Sequence, residues 1–335
     1  MRRLFALVLL AVIVAGAGVA WWLQAPLPQR AVAGAPPGQP LELEIEPGTT
    51  PRGVARAAVR AGLDVHPDLL YWWFRLSGQD RDIRAGNYEI PAGTSPRALL
   101  RKLVRGEEAL RAVTLVEGWT FRQVRQALAR AEQLRPDTAG QSDEAIMAAL
   151  GRPGVAPEGR FFPDTYTYGK GSSDLAVLRR ALHAMDRHLE AAWAQRAPDL
   201  PLKSADEALV LASIVEKETG RPEDRALVAG VFANRLRVGM LLQTDPTVIY
   251  GMGEKFDGNL RRRDLVTDTP FNTYTRPGLP PTPIAMPGKA SLLAAVQPAD
   301  TRALYFVARG DGSSQFSETL PEHNRAVNRY QRGQK

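Results

Sequence analysis

The chain has 335 residues, 44% hydrophobic and 24% charged, with a formal net charge of +7; the length points to about two domains, and the balance excludes an intrinsically disordered chain. Cysteine is absent, which excludes a disulfide framework and a thiolate nucleophile or ligand. The basic excess is scattered, Arg261–Arg263 being its one dense run, so it reads as solvated surface facing anionic lipid or an acidic polymer and gives no nucleic-acid footprint. Residues 1–3 are Met-Arg-Arg, a short cytoplasmic tail by the positive-inside rule. Leu4–Leu23 follows without a charge, about the length that crosses a bilayer, and Trp21 and Trp22 close it where indoles favour the interface. A transmembrane helix over 4–24 is therefore expected, with everything after it outside. The competing reading is a cleaved signal peptide, with small-residue sites at 15–17 or 18–20. The apolar run is longer than a usual signal core and favours the retained anchor. Residues 25–40, rich in Pro, Ala and Gly, read as a semi-rigid spacer.

Beyond the spacer one unit recurs three times, around Gly48, Gly93 and Gly118: a short strand, a glycine turn, a hydroxyl residue (Thr50, Ser95, Thr120) and an amphipathic helix. The hydroxyl suits an N-cap, and Pro51 and Pro96 suit the first helical position. Arg52, Arg97 and Arg122 occupy equivalent first-turn places, where surface pairing is expected. Between the first two copies Tyr71, Trp72, Trp73 and Phe74 form an aromatic cluster, read as the core of a small domain, with a sugar platform as the alternative. Two strands flanking two helices over 41–112 resemble in topology the LysM fold, a glycan-binding module. Helices are expected near Arg122–Glu132, Asp143–Leu150 and Asp174–Arg196, with a turn-rich stretch at Gly159–Tyr168. A further helix runs from Ser204, with Ser204 and Glu207 as a capping box, and another from about Pro222 to Val238. Short strands near Leu304–Ala308 and Gln315–Glu318 complete an α+β fold.

The Ser204 helix holds the most telling residue. At about 100° per residue, Val210, Leu211, Ile214, Val215 and Glu218 share one face, with Glu216 roughly opposite. A carboxyl buried among apolar side chains resists ionisation, as a general acid near neutral pH requires. The structural alternative is that Glu218 reaches solvent or pairs with Arg221. The histidines, His66, His183, His188 and His323, form no zinc signature, and neither a Walker loop nor a nucleophile elbow is present, so neither metal nor cofactor is expected. The loops Leu241–Gly251, Thr269–Pro281 and Pro283–Gly288 alternate polar residues with Pro and Gly, as cleft-lining loops do. In them Gln243, Thr244, Asp245, Asn272, Thr273 and Tyr274 offer groups suited to sugar hydroxyls and N-acetyl groups, although each could equally cap a helix or brace a turn; Asp245, before Pro246, is a candidate N-cap.

The segments Ala212–Thr219, Asn234–Gly253, Phe271–Gly288, Leu304–Ala308 and Glu322–Val327, with Val116–Thr120 and Phe161–Tyr166, resemble the MltG/YceG family of endolytic lytic transglycosylases, and the likeness runs back to the N-terminal anchor. It implies a catalytic domain over 113–335 and makes Glu218, the second glutamate of its EKE motif, the catalytic residue. It further implies an inner-membrane, single-pass lyase with its catalytic domain in the periplasm, acting on nascent peptidoglycan beside the synthases. The bond implied is the β-1,4 link from N-acetylmuramic acid to N-acetylglucosamine, cleaved without water to leave 1,6-anhydromuramyl ends. Met286 departs from the family, which often has Asn there. A muramidase-type hydrolase and a non-catalytic peptidoglycan-binding scaffold are the alternatives, the latter disfavoured by an acid placed on an apolar face.

Overall fold

The computed structural model describes residues 2–30, 40–107 and 109–333, and its contacts divide the chain into residues 1–111 with 168–171 and residues 112–167 with 172–335. Helices dominate, and the strands among the described residues pair only two by two, so the mixed helix-and-sheet chain expected from the sequence is what the structure has.

In the first unit α1 (Arg2–Gln24) contains a 19-residue stretch, Ala6–Gln24, apolar enough to cross a membrane and uncovered by protein. Of the expected spacer, residues 25–30 are described and packed: Leu27 is buried, its N–H donates to the Thr94 carbonyl at 3.0 Å, and Arg30 pairs with Asp64. Residues 31–39 lie outside the described residues. In β1 (Leu41–Ile45) Leu41, Leu43 and Ile45 are buried and Glu42 and Glu44 exposed, the period-2 pattern of a half-buried strand. It runs antiparallel to β2 (Gly86–Ile90), Leu43 facing Tyr88. Between them stand α2 (Pro51–Arg60) and α3 (Pro67–Leu76), and α4 (Pro96–Arg105) follows. Thr50 and Ser95 cap α2 and α4 as expected, accepting from Gly53 and Ala98. The aromatic cluster meets the expectation of a small-domain core in three of its members, Phe74 within that core and Tyr71 and Trp73 packed against it, while Trp72 departs from it. Phe74 is fully buried, Trp73 is partly covered with Nε1 donating to the Pro96 carbonyl at 3.1 Å, and Trp72 is 54% exposed. Four consecutive helical residues spread around the axis, so they cannot share one core face.

Strands β3 (Leu110–Thr114) and β4 (Thr165–Gly169) form a two-stranded sheet. The second strand lies in a stretch read as turn-rich; its alternating Thr and Tyr, with Tyr166 and Tyr168 buried, are a strand signal. In the second unit Thr120 and Gln123 form a capping box at the start of α5 (Phe121–Arg130), followed by α6 (Asp143–Ala149) and the long α7 (Asp174–Ala194). Gly48, Gly93 and Gly118 all have φ between 77° and 85°, a left-handed turn that explains the glycine in each copy of the repeat.

Helix α8 (Ala205–Glu218) is the centre of this unit: every residue from Ala208 to Val215 is buried. It packs against α7, α9 (Pro222–Arg237), α10 (Asp245–Met252) and α12 (Lys289–Val296), with the short α11 (Arg262–Val266) beside α10. The apolar stripe expected on α8 is thus, from Ala208 to Val215, a segment enclosed on all sides, while Asp206 and Lys217 near its ends are exposed. Helix α10 occupies a segment read as loop. The antiparallel hairpin β5 (Tyr305–Ala308) and β6 (Ser314–Ser317) and the terminal α13 (Leu320–Tyr330) complete the unit, the hairpin close to where it was expected.

Candidate active site

Glu218 is the last residue of α8. Thr219 leaves helical geometry at φ −145°, ψ 129°, and Pro222 begins α9 two residues after Gly220. A carboxylate at a helix C-terminus faces the negative end of the peptide dipoles, which adds to the cost of ionising it. The Thr244 hydroxyl donates to Glu218 Oε1. Thr244 stands at the N-cap of α10, yet its side chain makes no capping bond; its hydroxyl is committed to the glutamate instead. The loop is held behind it, with Thr244 N donating to Thr273 Oγ1 and Gln243 N to the Thr273 carbonyl, each at 3.0 Å.

Desolvation is the largest influence on Glu218 and raises its pKa above the usual carboxylate range; the charge of Asp245 raises it further, while the Thr244 hydrogen bond and the Arg235 charge lower it. Tyr274 donates its hydroxyl to Asp245 Oδ1 at 2.5 Å, and its own pKa is raised by burial first and then by Asp245. The arrangement holds a carboxyl that favours its proton beside a hydroxyl, a second carboxylate and a buried guanidinium.

The six loop residues divide. Thr244, Asp245 and Tyr274 stand around Glu218. Asp245 is the first residue of α10, so the N-cap expected of it belongs to Thr244. Gln243 is exposed and holds a left-handed φ of 48°, a strained conformation for a residue with a Cβ. Asn272 and Thr273 are buried; Asn272 Nδ2 donates to the carbonyls of Asp264, Leu265 and Thr267, and Oδ1 accepts from Tyr274 N. Both are therefore loop braces that set the position of Tyr274. Glu216 accepts from Gly288 N at 3.0 Å. Arg221 pairs with Glu223, leaving Glu218 to Thr244. Met286 is fully buried and exchanges backbone hydrogen bonds with Gly118 and Trp119, which suits an apolar residue.

Sequence reasoning missed Arg235, a buried charge inside α9, and also Glu158. The latter is 6% exposed, accepts from Phe121 N and from the Tyr250 hydroxyl, each at 3.0 Å, and has its pKa pushed by burial to about 7. The signal for Arg235 was the one used for Glu218: an ionisable residue one turn from Val231 and Phe232 on an apolar helical face.

The YceG-like family matches residues 43–329. A Bacillus subtilis protein named endolytic murein transglycosylase is 32% identical over 265 residues, covering 74% of this chain and 73% of its own. A Streptococcus pneumoniae protein of the same name is 28% identical over 317 residues, 84% of this chain and 57% of its own. The crystal structure of a yceG-like protein from Listeria monocytogenes superposes with a TM-score of 0.53 at 27% identity, covering 86% of this chain and 99% of the other. With the match running from β1 into α13 and through every loop around Glu218, this chain belongs to the YceG-like family.

Proposed function

We propose that the protein is an endolytic lytic transglycosylase, a carbon–oxygen lyase that cleaves the β-1,4 bond between N-acetylmuramic acid and N-acetylglucosamine within peptidoglycan strands. The observation that carries the reading is Glu218, desolvated at the end of a buried helix and hydrogen-bonded by Thr244. Protonated Glu218 donates to the glycosidic oxygen as the C1–O bond breaks and its electron pair passes to that oxygen, with oxocarbenium character left at the muramyl carbon. The carboxylate then takes the proton of the muramyl 6-hydroxyl as O6 bonds to C1, giving a 1,6-anhydro end without water. One carboxyl serves as acid and then as base.

Asp245 favours a second reading, since its charge acts on Glu218 and paired carboxyls are the equipment of hydrolases. Mass spectrometry of fragments released from purified glycan strands separates the two: 1,6-anhydromuramyl ends support the lyase, reducing ends the hydrolase, and no release at all a binding scaffold. The desolvated acid also fixes a pH dependence. A general acid works only while protonated, so activity is expected to fall as pH rises through the raised Glu218 pKa, and the alkaline limb of a pH profile reads it.

The wider reading places residues 4–24 in the cytoplasmic membrane, residues 113–335 as the catalytic domain on the periplasmic side, and nascent strands near the synthases as substrate. Residues 41–112 are read as a LysM-like glycan-binding module, supported by the β1–α2–α3–β2 order and by the exposed Trp72. Trp72→Ala in the full chain is expected to weaken co-sedimentation with purified sacculi; unchanged binding removes that reading of α3.

A further inference from the structure

Arg235 is 7% exposed inside α9, and all its side-chain hydrogen bonds go to backbone carbonyls: Nε to Leu304 at 2.7 Å, Nη1 to Leu242 at 2.8 Å and to Leu241 at 3.3 Å. Two of those carbonyls belong to the loop that ends in Thr244, the residue bonded to Glu218. The third precedes β5, so one guanidinium ties the loop to the hairpin. Carbonyls are neutral, so among the described residues no ion pair cancels its charge. That charge acts on Glu218.

We propose that Arg235 is a positioning residue for the Glu218 reaction: its fork clamps the loop that presents Thr244, and its fixed charge stabilises the carboxylate that exists between the two proton transfers. The proposal rests on Glu218 being the acid. A desolvated carboxyl alone would be a good donor but would form its anion at high cost, and a weakly charged neighbour in water could not relieve it; a guanidinium held in a buried site can, because its position is already set before the proton moves. The remaining groups facing this pair are accounted for. Asp245, at the start of α10, opposes Arg235 by raising the Glu218 pKa. Tyr274 binds Asp245 and is kept protonated by burial. Tyr305 of β5 offers its ring to the guanidinium, 5.3 Å from its centroid, and stacks on His323 of α13 at 5.2 Å. His323, its Nδ1 buried without a hydrogen-bond partner, is disfavoured as a cation by burial first and by Arg235 second, so it adds no second positive charge.

The test uses the full-length protein in detergent, glycan strands as substrate, and pH profiles of kcat for Arg235→Lys, Arg235→Gln and Asp245→Asn. Arg235→Lys keeps the charge and loses the fork; its kcat is expected to fall about 10- to 100-fold, as for a misplaced reacting group, with the alkaline limb where the wild type has it. Arg235→Gln also loses the charge, and its limb should move to higher pH, which loss of packing alone would not do. Asp245→Asn, at an exposed position that carries little folding risk, removes the charge that raises the Glu218 pKa and should move the limb to lower pH, which calibrates how far one nearby charge moves it. A wild-type limb in Arg235→Gln overturns the electrostatic role; should that variant fail to fold, a limb moved to higher pH in Arg235→Lys, which keeps the charge, overturns it instead. A wild-type kcat in Arg235→Lys overturns the clamp. Glu218→Gln is measured alongside: turnover surviving in it ends the Glu218 reading itself, whereas inactive Glu218→Gln with unmoved limbs ends only the proposal for Arg235.

Discussion

At the scale of single residues, α8 sets two nearby glutamates to different work. Glu218→Gln keeps size and hydrogen bonding but removes the proton, so turnover is expected to fall by at least about 10²-fold with the thermal unfolding midpoint little changed. Glu216→Gln keeps an acceptor for Gly288 N and should retain most activity, while Glu216→Ala orphans that buried N–H and should cost about 1–2 kcal/mol of stability. Equal inactivation by the two Gln variants, both folded, would show that Glu216 takes part in the chemistry. Glu158 gives a separate prediction with a definite sign. Its folded pKa of about 7 lies above the usual value of 4.5, so the folded state holds the proton more tightly than the unfolded chain. The associated stability is fully present below about pH 4.5 and is lost as pH rises through about 7, by roughly 3 kcal/mol in total. Denaturant unfolding across that range should show the slope in the wild type and its loss in Glu158→Gln.

Among the elements, close contact between loops fixes the second unit as firmly as the helices do. Gly159 has φ 77°, and a Cβ there would stand 2.4 Å from Pro283 Cβ. The loop before β4 and the loop before α12 therefore meet backbone to ring. Gly159→Ala combines left-handed strain with overlap against a rigid ring and is expected to cost about 3 kcal/mol; an unchanged unfolding midpoint would show that the two loops can part without loss. Tyr250 on α10 reaches Glu158 on one of these loops and packs edge-on against Phe271, so the helix that begins with Asp245 is tied at both ends. Element by element, what bears on Glu218 comes from helix termini and loops, while the middle of α8 supplies only the packing that fixes its direction.

For the whole molecule, α1 is consistent with a single-pass membrane anchor. An uncovered apolar helix of this length is stable in lipid and not in water, so the full-length protein is expected to remain in the membrane pellet after alkaline carbonate extraction. A mature N-terminus near Trp21 would instead establish a cleaved signal. The burial of Leu27 and the Arg30–Asp64 pair show that the first unit begins its packing within a few residues of the helix.

The sequence by itself determined the features that depend on neighbours along the chain. Capping hydroxyls at Thr50, Ser95 and Thr120, the glycine turns before them, the period-2 burial of Leu41–Ile45 and the length of the apolar helix are all local, because a cap or a strand face needs only the next few residues. It also singled out Glu218, since a carboxyl among apolar residues is conspicuous within two helical turns. What it could not determine is which groups surround that carboxyl. Thr244, Arg235 and Asp245 lie 17 to 27 positions away, and Asn272 looked as suitable for sugar as Tyr274 until the carbonyls of Asp264, Leu265 and Thr267 took its donors. Whether a polar side chain faces solvent or satisfies a buried backbone is decided only when distant segments pack, because burial leaves each such group a choice of partners that the chain's order does not fix. Tertiary packing likewise enclosed Ala208–Val215 of α8 on every side and raised the pKa of Glu158 by burial.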